Sequence, residues 1–590
     1  MTKLYMANSL RQPLKYGILA AVGLLGSAQL LYYFGWAGRL SALANQTPLE
    51  AILESQPLDT IETDRACVLL DRSFTSATQP DFTRSGIRQW TECRTLNNTA
   101  SGWTVQHCTT PGSNPTQKEA ESTIEPPSCY PGGYFRIQRL QPPAGEGTLQ
   151  SGTCYLKKGS ALAEDPAANQ YAASFLGPDA FRIVLVGPER LSLMQQQSLG
   201  NCTYAIPYLI SRPGRFWVQK LIHTYQGYDA LNENTDEQWL PEYLGRDLLL
   251  QDKGHQKEHY HFDVCPHCVS WVAIDEATGL GGTQDICSRS PNLQSRQYGI
   301  YTARLPVESV RQAVSHPYQW IPARPRCRFY PALNAFESIT ESDSDEVKTD
   351  KAEATKCLQN SRSIYFVGDT HVRNLFSGVM QRLQGRSGGI DMPIQDRRSH
   401  TLKAGNVEAR WDYDATLNDT LARIYYTLYG EEENPVPDLG VLDGMDTIVL
   451  GFGSFSEHLP TTEYMERVWE VLDGLSEIWK LRRTAEEDDY DTLDSLKVIW
   501  MGAPAWTENI QGIADKWKTN HRILYWNKLA DGMVDRVNAQ VGEQGIVDRL
   551  SGFEITVPFK NATLDNLHYT SETPIDSFSA ELIHKLDLCS

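Results

Sequence analysis

The chain has 590 residues, of which 41% are hydrophobic and 10% aromatic, so it is long enough for two or three globular domains. Its 54 lysines and arginines stand against 73 aspartates and glutamates, a formal net charge of -19. That balance excludes a nucleic-acid-binding surface, which needs an excess of basic residues, and it favours neutral or cationic partners.

The first feature along the chain is an apolar stretch from Tyr16 to Gly38, 23 residues without a charge. It is long enough to span a bilayer, and the basic residues before it predict a cytoplasmic tail at 1–15, a transmembrane anchor at 16–38 and a luminal remainder. The alternative is a cleaved signal peptide, because Ala42-Leu43-Ala44 has the form of a cleavage site. We expect a single-pass type II protein of the Golgi or another secretory-pathway membrane.

Cysteines and glycosylation sequences agree with a luminal setting. Twelve cysteines, an even number, predict disulfides in an oxidising compartment, although their connectivity does not follow from sequence. Cys357 and Cys589 bracket the last domain, and we expect a disulfide between them. Acceptor sequences for N-glycosylation occur at Asn45, Asn97, Asn201, Asn418 and Asn561.

The segments that follow the anchor differ in composition. Residues 39–128 are rich in Thr, Ser, Gln and Pro and predict a luminal stem with some cross-linked structure. Residues 129–335 contain short aromatic and β-branched runs split by Gly and Pro, which predict an antiparallel, all-β sandwich. The acidic segment 336–356 predicts a solvated linker or a mobile insertion between domains.

From residue 357 to 590, strand-like runs alternate with helical patterns, which predicts an α/β fold with a parallel sheet covered on both faces. The clearest helical pattern contains Met465, Val468 and Leu472 on one face. The strand-like runs are Ile364–Val367, Thr447–Leu450, Val498–Met501 and Ile523–Trp526.

The motif with the most chemical content follows the first of these strands. The apolar run stops at Gly368-Asp369 and continues into a helix-compatible segment, which predicts a sharp turn that presents Thr370 at the carboxyl edge of the sheet. Near the C-terminus, Asp565 lies three residues before His568, the pattern of a carboxylate that orients a histidine base. Taken alone, Gly-Asp-Thr also fits an ordinary turn in which Asp or Thr caps a helix.

Together, Gly368-Asp369-Thr370-x-x-Arg373 and Asp565-x-x-His568 resemble the SGNH hydrolase superfamily. More narrowly they resemble its PC-esterase-like branch, which includes glycan O-acetyltransferases and the neurexophilin-and-esterase proteins. The resemblance implies a three-layer SGNH (flavodoxin-like) domain at 357–590, and an immunoglobulin-like sandwich before it. It also implies Thr370 as nucleophile in place of the usual serine, His568 as base and Asp565 as the orienting carboxylate.

The same resemblance implies an oxyanion and substrate-binding set of Asp369, Arg373 and Gly453. Arg373 lies one helical turn after Thr370, where its guanidinium could hold an anionic or polar sugar group. The chain has Gly451-Phe452-Gly453-Ser454 where relatives often show Asn-x-Gly, so Gly451 offers no side-chain donor. The candidates to replace that donor are Ser454, His458 and Asn374.

The implied activity is transfer or removal of acetyl groups on glycans, without a bound cofactor or metal. The implied co-substrate is an acetylated glycan or an acetyl-CoA-derived donor. The implied partners are a glycan or glycoconjugate, the membrane, and an accessory membrane protein that supplies acetyl groups.

Several alternatives stay open. The threonine and Gly451 favour a catalytically impaired protein that serves as a glycan-binding or scaffold protein. Cleavage after Ala44 would instead fit a secreted adhesion protein. A His and Cys cluster from His255 to Cys268 has the residue types of a zinc site, but it lacks a second paired motif and disulfides fit it better.

Overall fold

The computed structural model describes the chain in separate stretches, and the chain from Thr63 to Ser590 forms one compact unit. The described residues are 92–96, 102–109, 132–140, 177–194, 196–210, 212, 214–225, 242–245, 249–251, 257–264, 285–286, 299–303, 307, 309, 318–322, 327–390, 396–430, 436–453, 459–486, 496–506, 520–542, 545–559 and 568–589.

Strands fill the first half of these residues, and helices alternate with strands in the second half. The strands are β1 Glu92–Thr95, β2 Trp103–Thr109, β3 Gly132–Arg139, β4 Asp179–Val186, β5 Glu189–Leu193, β6 Gln197–Gly200, β7 Thr203–Leu209, β8 Gly214–Tyr225, β9 Glu242–Gly245, β10 Leu249–Gln251, β11 Lys257–His259, β12 His261–Val264, β13 Asp285–Ile286, β14 Gly299–Ala303, β15 Tyr318–Pro322, β16 Cys327–Arg328, β17 Arg362–Gly368, β18 His400–Ala404, β19 Val407–Tyr413, β20 Thr447–Gly451, β21 Lys497–Met501 and β22 Val547–Leu550. The α-helices are α1 Asp345–Cys357, α2 Thr370–Leu383, α3 Asn418–Tyr429, α4 Thr461–Glu486, α5 Asn520–Val541, α6 Gly552–Thr556 and α7 Glu572–Leu586.

Two antiparallel sheets make up most of the N-terminal half. One has the strand order β1-β2-β3-β7-β6, and the other has the order β12-β8-β4-β5-β14-β15 with β9 beside β8. Alternate side chains of both sheets meet in one core, which includes Val105 and Phe135 from the first sheet and Phe181, Ile183 and Phe216 from the second. The predicted all-β packing is therefore present, and it begins earlier than expected because β1 and β2, in the predicted stem, pair into the first sheet.

A six-stranded sheet with the order β18-β19-β17-β20-β21-β22 organises the C-terminal half. Its strands are parallel except for β18, which is antiparallel to β19. Tyr365 and Val367 point to a core shared with helices α3, α4 and α5, and Ile364 and Phe366 to a core shared with α2 and α7. Helices therefore cover both faces, as the alternating pattern predicts.

The chain order around this sheet fixes where a site can form. From β17 the chain passes to β18 and β19 on one side, and then to β20, β21 and β22 on the other. In an open α/β sheet the crevice at such a reversal lies beyond the carboxyl ends of the strands. The carboxyl end of β17, at Gly368, is therefore the expected location of a site.

The two halves contact each other through buried polar and aromatic groups. The Tyr301 hydroxyl donates to the Ile555 carbonyl at 2.8 Å, and the Trp320 indole donates to Glu581 at 3.0 Å. The Arg182 guanidinium donates to the Val557 carbonyl at 2.7 Å. Tyr301 and Trp320 also belong to the same apolar core as α2 and α7, so the β-rich half supports the α/β half.

One local prediction is wrong, and one segment is more regular than expected. Ile523–Trp526, predicted as a strand, lies inside helix α5, where Ile523, Trp526, Ala530 and Val534 are buried at helical spacing. The acidic segment predicted as a solvated linker contains helix α1, which begins at the cap Ser344 and has Asp345 and Glu346 in its first turn. Acidic side chains stabilise a helix N-terminus, so the composition that suggested a linker also suits a helix start.

Disulfides join Cys357 to Cys589 and Cys93 to Cys108. The first is the predicted closure of the C-terminal region, and both are consistent with a secreted or luminal protein. Of the predicted glycosylation sites, Asn201 and Asn418 are described and exposed, while Asn45, Asn97 and Asn561 lie outside the described residues.

The predicted membrane anchor at 16–38 also lies outside the described residues. Among the helices that the structure describes, none combines the length and the apolar character that a bilayer crossing requires. Even the longest, α4 with 26 residues, carries charged side chains along its length. The predicted single-pass type II localisation is therefore corrected: it has no support in the structure and forms no part of the function proposed below.

Candidate active site

A tight turn connects β17 to helix α2 and places Thr370 at the first position of that helix. Gly368 has φ +145°, and a Cβ on it would lie 2.5 Å from the Gly451 carbonyl oxygen and 2.8 Å from Val372 Cγ2. Only glycine tolerates this conformation and this close approach. Asp369 then caps the helix, because its Oδ1 accepts hydrogen bonds from the amides of His371 at 2.8 Å and Val372 at 3.4 Å.

Thr370 and His568, which are 198 residues apart in sequence, meet at this turn. Thr370 Oγ1 lies 2.5 Å from His568 Nε2, within hydrogen-bond reach. Both side chains are buried, with 5% and 6% of their surface exposed. The structure thus brings together the hydroxyl and the imidazole that the sequence motifs predict as nucleophile and base.

Contacts of the neighbouring residues hold the His568 segment against α2. Asn374 Nδ2 donates to the Tyr569 carbonyl at 3.4 Å, and the Tyr569 hydroxyl donates to the Ala505 carbonyl at 2.7 Å. The Ile390 amide donates to the Thr570 carbonyl at 3.0 Å. Asn374, suggested by sequence as a replacement oxyanion donor, therefore positions the segment that carries His568.

Two aromatic residues that the sequence motifs do not specify lie on one side of the pair: His371 contacts His568, and Trp506 contacts His371. The His371 ring stacks on the His568 ring with a centroid distance of 5.2 Å and an interplanar angle of 29°. Trp506 approaches His371 edge-on at 6.4 Å. His371 directly follows Thr370 and Trp506 follows strand β21, so a search for side chains just beyond the strand ends would have found both.

The electrostatics of the turn favour an ionised Asp369. Burial alone would raise the pKa of this carboxyl, but the charge and hydrogen bonds of His371 and the amide of Val372 lower it by more than burial raises it, so the pKa lies below its ordinary value. Asp369 and His371 Nδ1 are 3.4 Å apart. Asp369, predicted to bind substrate, therefore acts as a helix cap and as the partner of His371.

Arg373 lies in the interior and not at the mouth of the site. It is fully buried, and its guanidinium donates to Asn374 Oδ1 at 2.9 Å and to the Asp396 carbonyl at 3.0 Å. The one-turn spacing from Thr370 is as the sequence predicts, but the loop at Asp396 covers the arginine. We assign Arg373 to positioning that loop.

The packing at the carboxyl end of β20 explains why position 451 is a glycine. A Cβ on Gly451 would lie 2.8 Å from Val372 Cγ2, so a side chain there would collide with helix α2. Gly453, the predicted amide donor, is buried with φ +121°. Ser454 and His458, the other suggested donors, lie outside the described residues.

Other predicted site residues are only partly described. Asp565, the predicted orienting carboxylate, lies outside the described residues, so it remains a prediction. The same holds for His255, Cys265, His267 and Cys268 of the suggested zinc cluster. Within the described stretches, no group of three or more metal-binding side chains forms.

Comparisons with known proteins add little to this geometry. No family model and no curated protein matches the chain. Among solved structures, it is similar to one whose description names a platelet activating factor from Streptococcus pneumonia, at 14% identity over 41% of this chain and 94% of that chain, with a TM-score of 0.22. A likeness of that size carries no argument about fold or function. The functional interpretation therefore depends on the site itself, a buried threonine–histidine pair at the carboxyl edge of a parallel sheet.

Proposed function

We propose that this protein hydrolyses or transfers O-acyl groups, with Thr370 as the nucleophile, His568 as the general base and acetylated glycans as substrates. The observation that carries the proposal is the 2.5 Å contact between Thr370 Oγ1 and His568 Nε2. A hydroxyl at its normal pKa is a weak nucleophile, and an adjacent imidazole is the usual means of activating it.

In the proposed reaction, Thr370 Oγ attacks the carbonyl carbon of the ester while His568 Nε2 takes the hydroxyl proton. The tetrahedral intermediate collapses when the ester oxygen leaves as an alcohol with the proton from His568. The resulting acyl-threonine is then attacked by water or by a second hydroxyl, which gives up its proton to His568. The choice of attacking group separates an esterase from a transferase.

The charge that develops on the carbonyl oxygen needs donors that are already in place. Thr370 is the first residue of α2, and the first amides of an α-helix have no acceptor within the helix. Its amide and that of Gly453 are our proposed donors. The N-terminal end of α2 adds a favourable dipole to the same position.

The architecture supports a more specific assignment, which we also propose. A parallel sheet covered by helices on both faces, with the site at the end of its central strand β17, suits an SGNH-type domain. The two packed antiparallel sheets suit an immunoglobulin-like module before it.

The test is hydrolysis of a chromogenic acetyl ester by the full chain and by its Thr370→Ala, Thr370→Ser and His568→Ala variants. We expect both alanine variants to lose activity by about a thousandfold or more, because nucleophile and base act as a unit. Thr370→Ser should keep or raise the rate, since serine lacks the β-methyl group that restricts the side chain.

One observation favours a second candidate, a glycan-binding protein that no longer catalyses. Gly451 offers no side-chain donor and leaves no room for one, and loss of one oxyanion donor costs roughly a hundred- to a thousandfold in turnover. In that case none of the four proteins would hydrolyse the ester, and Thr370→Ala would bind acetylated glycan as tightly as the wild type.

A further inference from the structure

An exposed arginine lies on an aromatic ring beside the Thr370 turn. The Arg397 guanidinium is 4.8 Å from the centre of the Tyr413 ring, in a cation–π contact. Tyr413 is the last residue of β19 and the register partner of Gly368, two residues before Thr370. The next amide, that of Asp414, donates to the Gly368 carbonyl at 3.0 Å.

The charged groups of the turn affect the pKa of the Tyr413 hydroxyl. Burial raises the pKa of the Tyr413 hydroxyl, Arg397 lowers it, and the negative charges of Asp369 and Asp414 raise it again, with a net upward shift. Tyr413 is thus close enough to Asp369 to respond to its charge. Arg397 lies over this ring, and the ring belongs to the residue paired in register with Gly368, at the start of the turn that carries Thr370.

The loop that carries Arg397 is held by groups other than Arg397. Arg373 Nη1 donates to the Asp396 carbonyl at 3.0 Å. The Asp396 carboxylate accepts from Arg398 at 2.8 Å and from His400 at 3.1 Å. The loop is therefore anchored on both sides of Arg397 while the Arg397 guanidinium is kept over Tyr413.

Arg397 differs from the neighbouring arginines in its partners. Arg398 is paired with Asp396, and Arg373 is buried with its own acceptors. Within the described part of the chain, Arg397 forms no ion pair, although the chain as a whole has an excess of 19 negative charges. A guanidinium stacked by its face on a ring keeps the N–H groups at its edge available for a carboxylate, which they bind in a bidentate manner.

We propose that Arg397, positioned by Tyr413, binds a carboxylate of the substrate and gives the site a preference for esters that carry a negative charge near the scissile acyl group. This inference rests on the proposed acyl-ester chemistry at Thr370. It adds the substrate class: a carboxylate-bearing O-acyl compound in place of a neutral one.

The test compares two acetyl esters of equal size, 4-acetoxybenzoate, which is anionic, and 4-acetoxybenzamide, which is neutral. For the full-length wild type we expect kcat/KM to be about tenfold to a hundredfold higher for the anionic ester, the usual effect of a charge-assisted hydrogen bond. Arg397→Gln should bring the ratio close to one, and added salt should lower the wild-type ratio.

Lys403→Gln is the control, because it removes one positive charge without touching the loop of Arg397. Lys403 is 67% exposed, is paired with Glu408, and lies beside the start of β17, at the end of the sheet away from Thr370. It should leave the ratio as in the wild type. Equal ratios in wild type and Arg397→Gln would overturn the inference by excluding Arg397, and an equal loss in Lys403→Gln would overturn it by reducing the effect to general charge.

A binding measurement tests the carboxylate site independently of the proposed catalysis. The non-hydrolysable analogue 4-acetamidobenzoate, measured by calorimetry, should bind wild type and Lys403→Gln alike and Arg397→Gln about tenfold or more weakly. If neither ester is hydrolysed but this pattern is found, the proposed catalysis fails and the carboxylate site stands. If the neutral ester is hydrolysed and the analogue binds all three proteins equally, the catalysis stands and the carboxylate site is refuted.

Discussion

At the scale of single residues, Asp369 determines where helix α2 begins and hence where Thr370 lies. We expect Asp369→Ala to lower the free energy of unfolding at neutral pH by about 1 to 2 kcal/mol, because two amides lose their acceptor. Asp369→Asn retains an acceptor and should cost less than half as much. Urea unfolding of the three proteins measures both values, and equal losses in the two variants would contradict the capping role.

The depressed pKa of Asp369 gives this comparison a pH dependence. A carboxyl whose pKa is lower in the folded than in the unfolded state stabilises the fold above its unfolded pKa, and loses that contribution as the pH falls through the folded pKa. The difference in stability between wild type and Asp369→Asn should therefore shrink on acidification below about pH 4.

Residue spacing alone predicted part of this site. The motifs at Thr370 and His568 were enough to predict their meeting, because the chemistry needs a hydroxyl and an imidazole and the sheet edge brings them together. The burial of Arg373 could not be predicted, since it depends on a loop 23 residues further along whose carbonyl it contacts. Arg397 has no motif: its position depends on its contact with Tyr413, which the register of β19 against β17 places beside Gly368.

At the scale of secondary-structure elements, the crossing of β17, β20 and α2 leaves no space for a side chain at Gly368. Gly368→Ala should lower the free energy of unfolding by at least about 2 kcal/mol, since the added Cβ meets a backbone carbonyl at a φ that alanine rarely adopts. Gly532→Ala, in the exposed part of α5 with open space around it, is the control and should gain up to about 1 kcal/mol. Thermal or urea unfolding tests the pair, and a Gly368→Ala protein as stable as the wild type would refute the close approach.

Helix α6 contains a carboxyl that should make stability depend on pH. Burial, with the charges of Asp531 and Glu581, raises the pKa of Glu554 from 4.5 to about 7. Between these values the folded state holds more protons than the unfolded state, so the stability falls as the pH rises through that window. Glu554→Gln should therefore raise the free energy of unfolding by on the order of 2 kcal/mol at about pH 8 and change it little at about pH 5.

The control for this prediction is Glu341→Gln, on the exposed turn before α1, which should leave the stability unchanged at both pH values. A gain from Glu554→Gln that is the same at both pH values would show that packing, not ionisation, is responsible.

Two kinds of element were predicted correctly: long helices with a regular apolar spacing, such as α4, and strands that are buried on both faces of the sheet, such as β17. Ile523–Trp526 was misassigned because four apolar residues fit a strand and a helix equally well. A window that reached Val537 would have shown the spacing of three and four residues typical of a helix. Strands β18 and β19 were not predicted, because charged side chains such as Lys403 and Glu408 interrupt their apolar pattern.

At the scale of the whole molecule, the two disulfides whose cysteines are both described close loops of very different length. Cys357 and Cys589 are 232 residues apart, and Cys93 and Cys108 are 15 apart. A longer loop loses more entropy from the unfolded chain when it is closed, so the double variant Cys357→Ala/Cys589→Ala should cost about 2 kcal/mol more stability than Cys93→Ala/Cys108→Ala. Chemical unfolding of the two double variants tests this order, and equal costs would contradict it.

The contact between the halves also bears on how the protein can be divided. Tyr301 and Trp320 complete the core that contains α2 and α7, and α2 begins at Thr370. The α/β half cut out at the predicted boundary of residue 357 would lose these side chains and expose the face that supports the site. The full chain is therefore the appropriate protein for every activity measurement.

The central claim is that Thr370 becomes acylated with the help of His568. The most direct measurement is mass spectrometry of the peptide containing Thr370 after brief reaction with 4-nitrophenyl acetate and an acid quench, in wild type, Thr370→Ala and His568→Ala. We predict an acetyl group on Thr370 in the wild type only. A wild-type peptide without acetyl, or equal acetylation in His568→Ala, would contradict the claim.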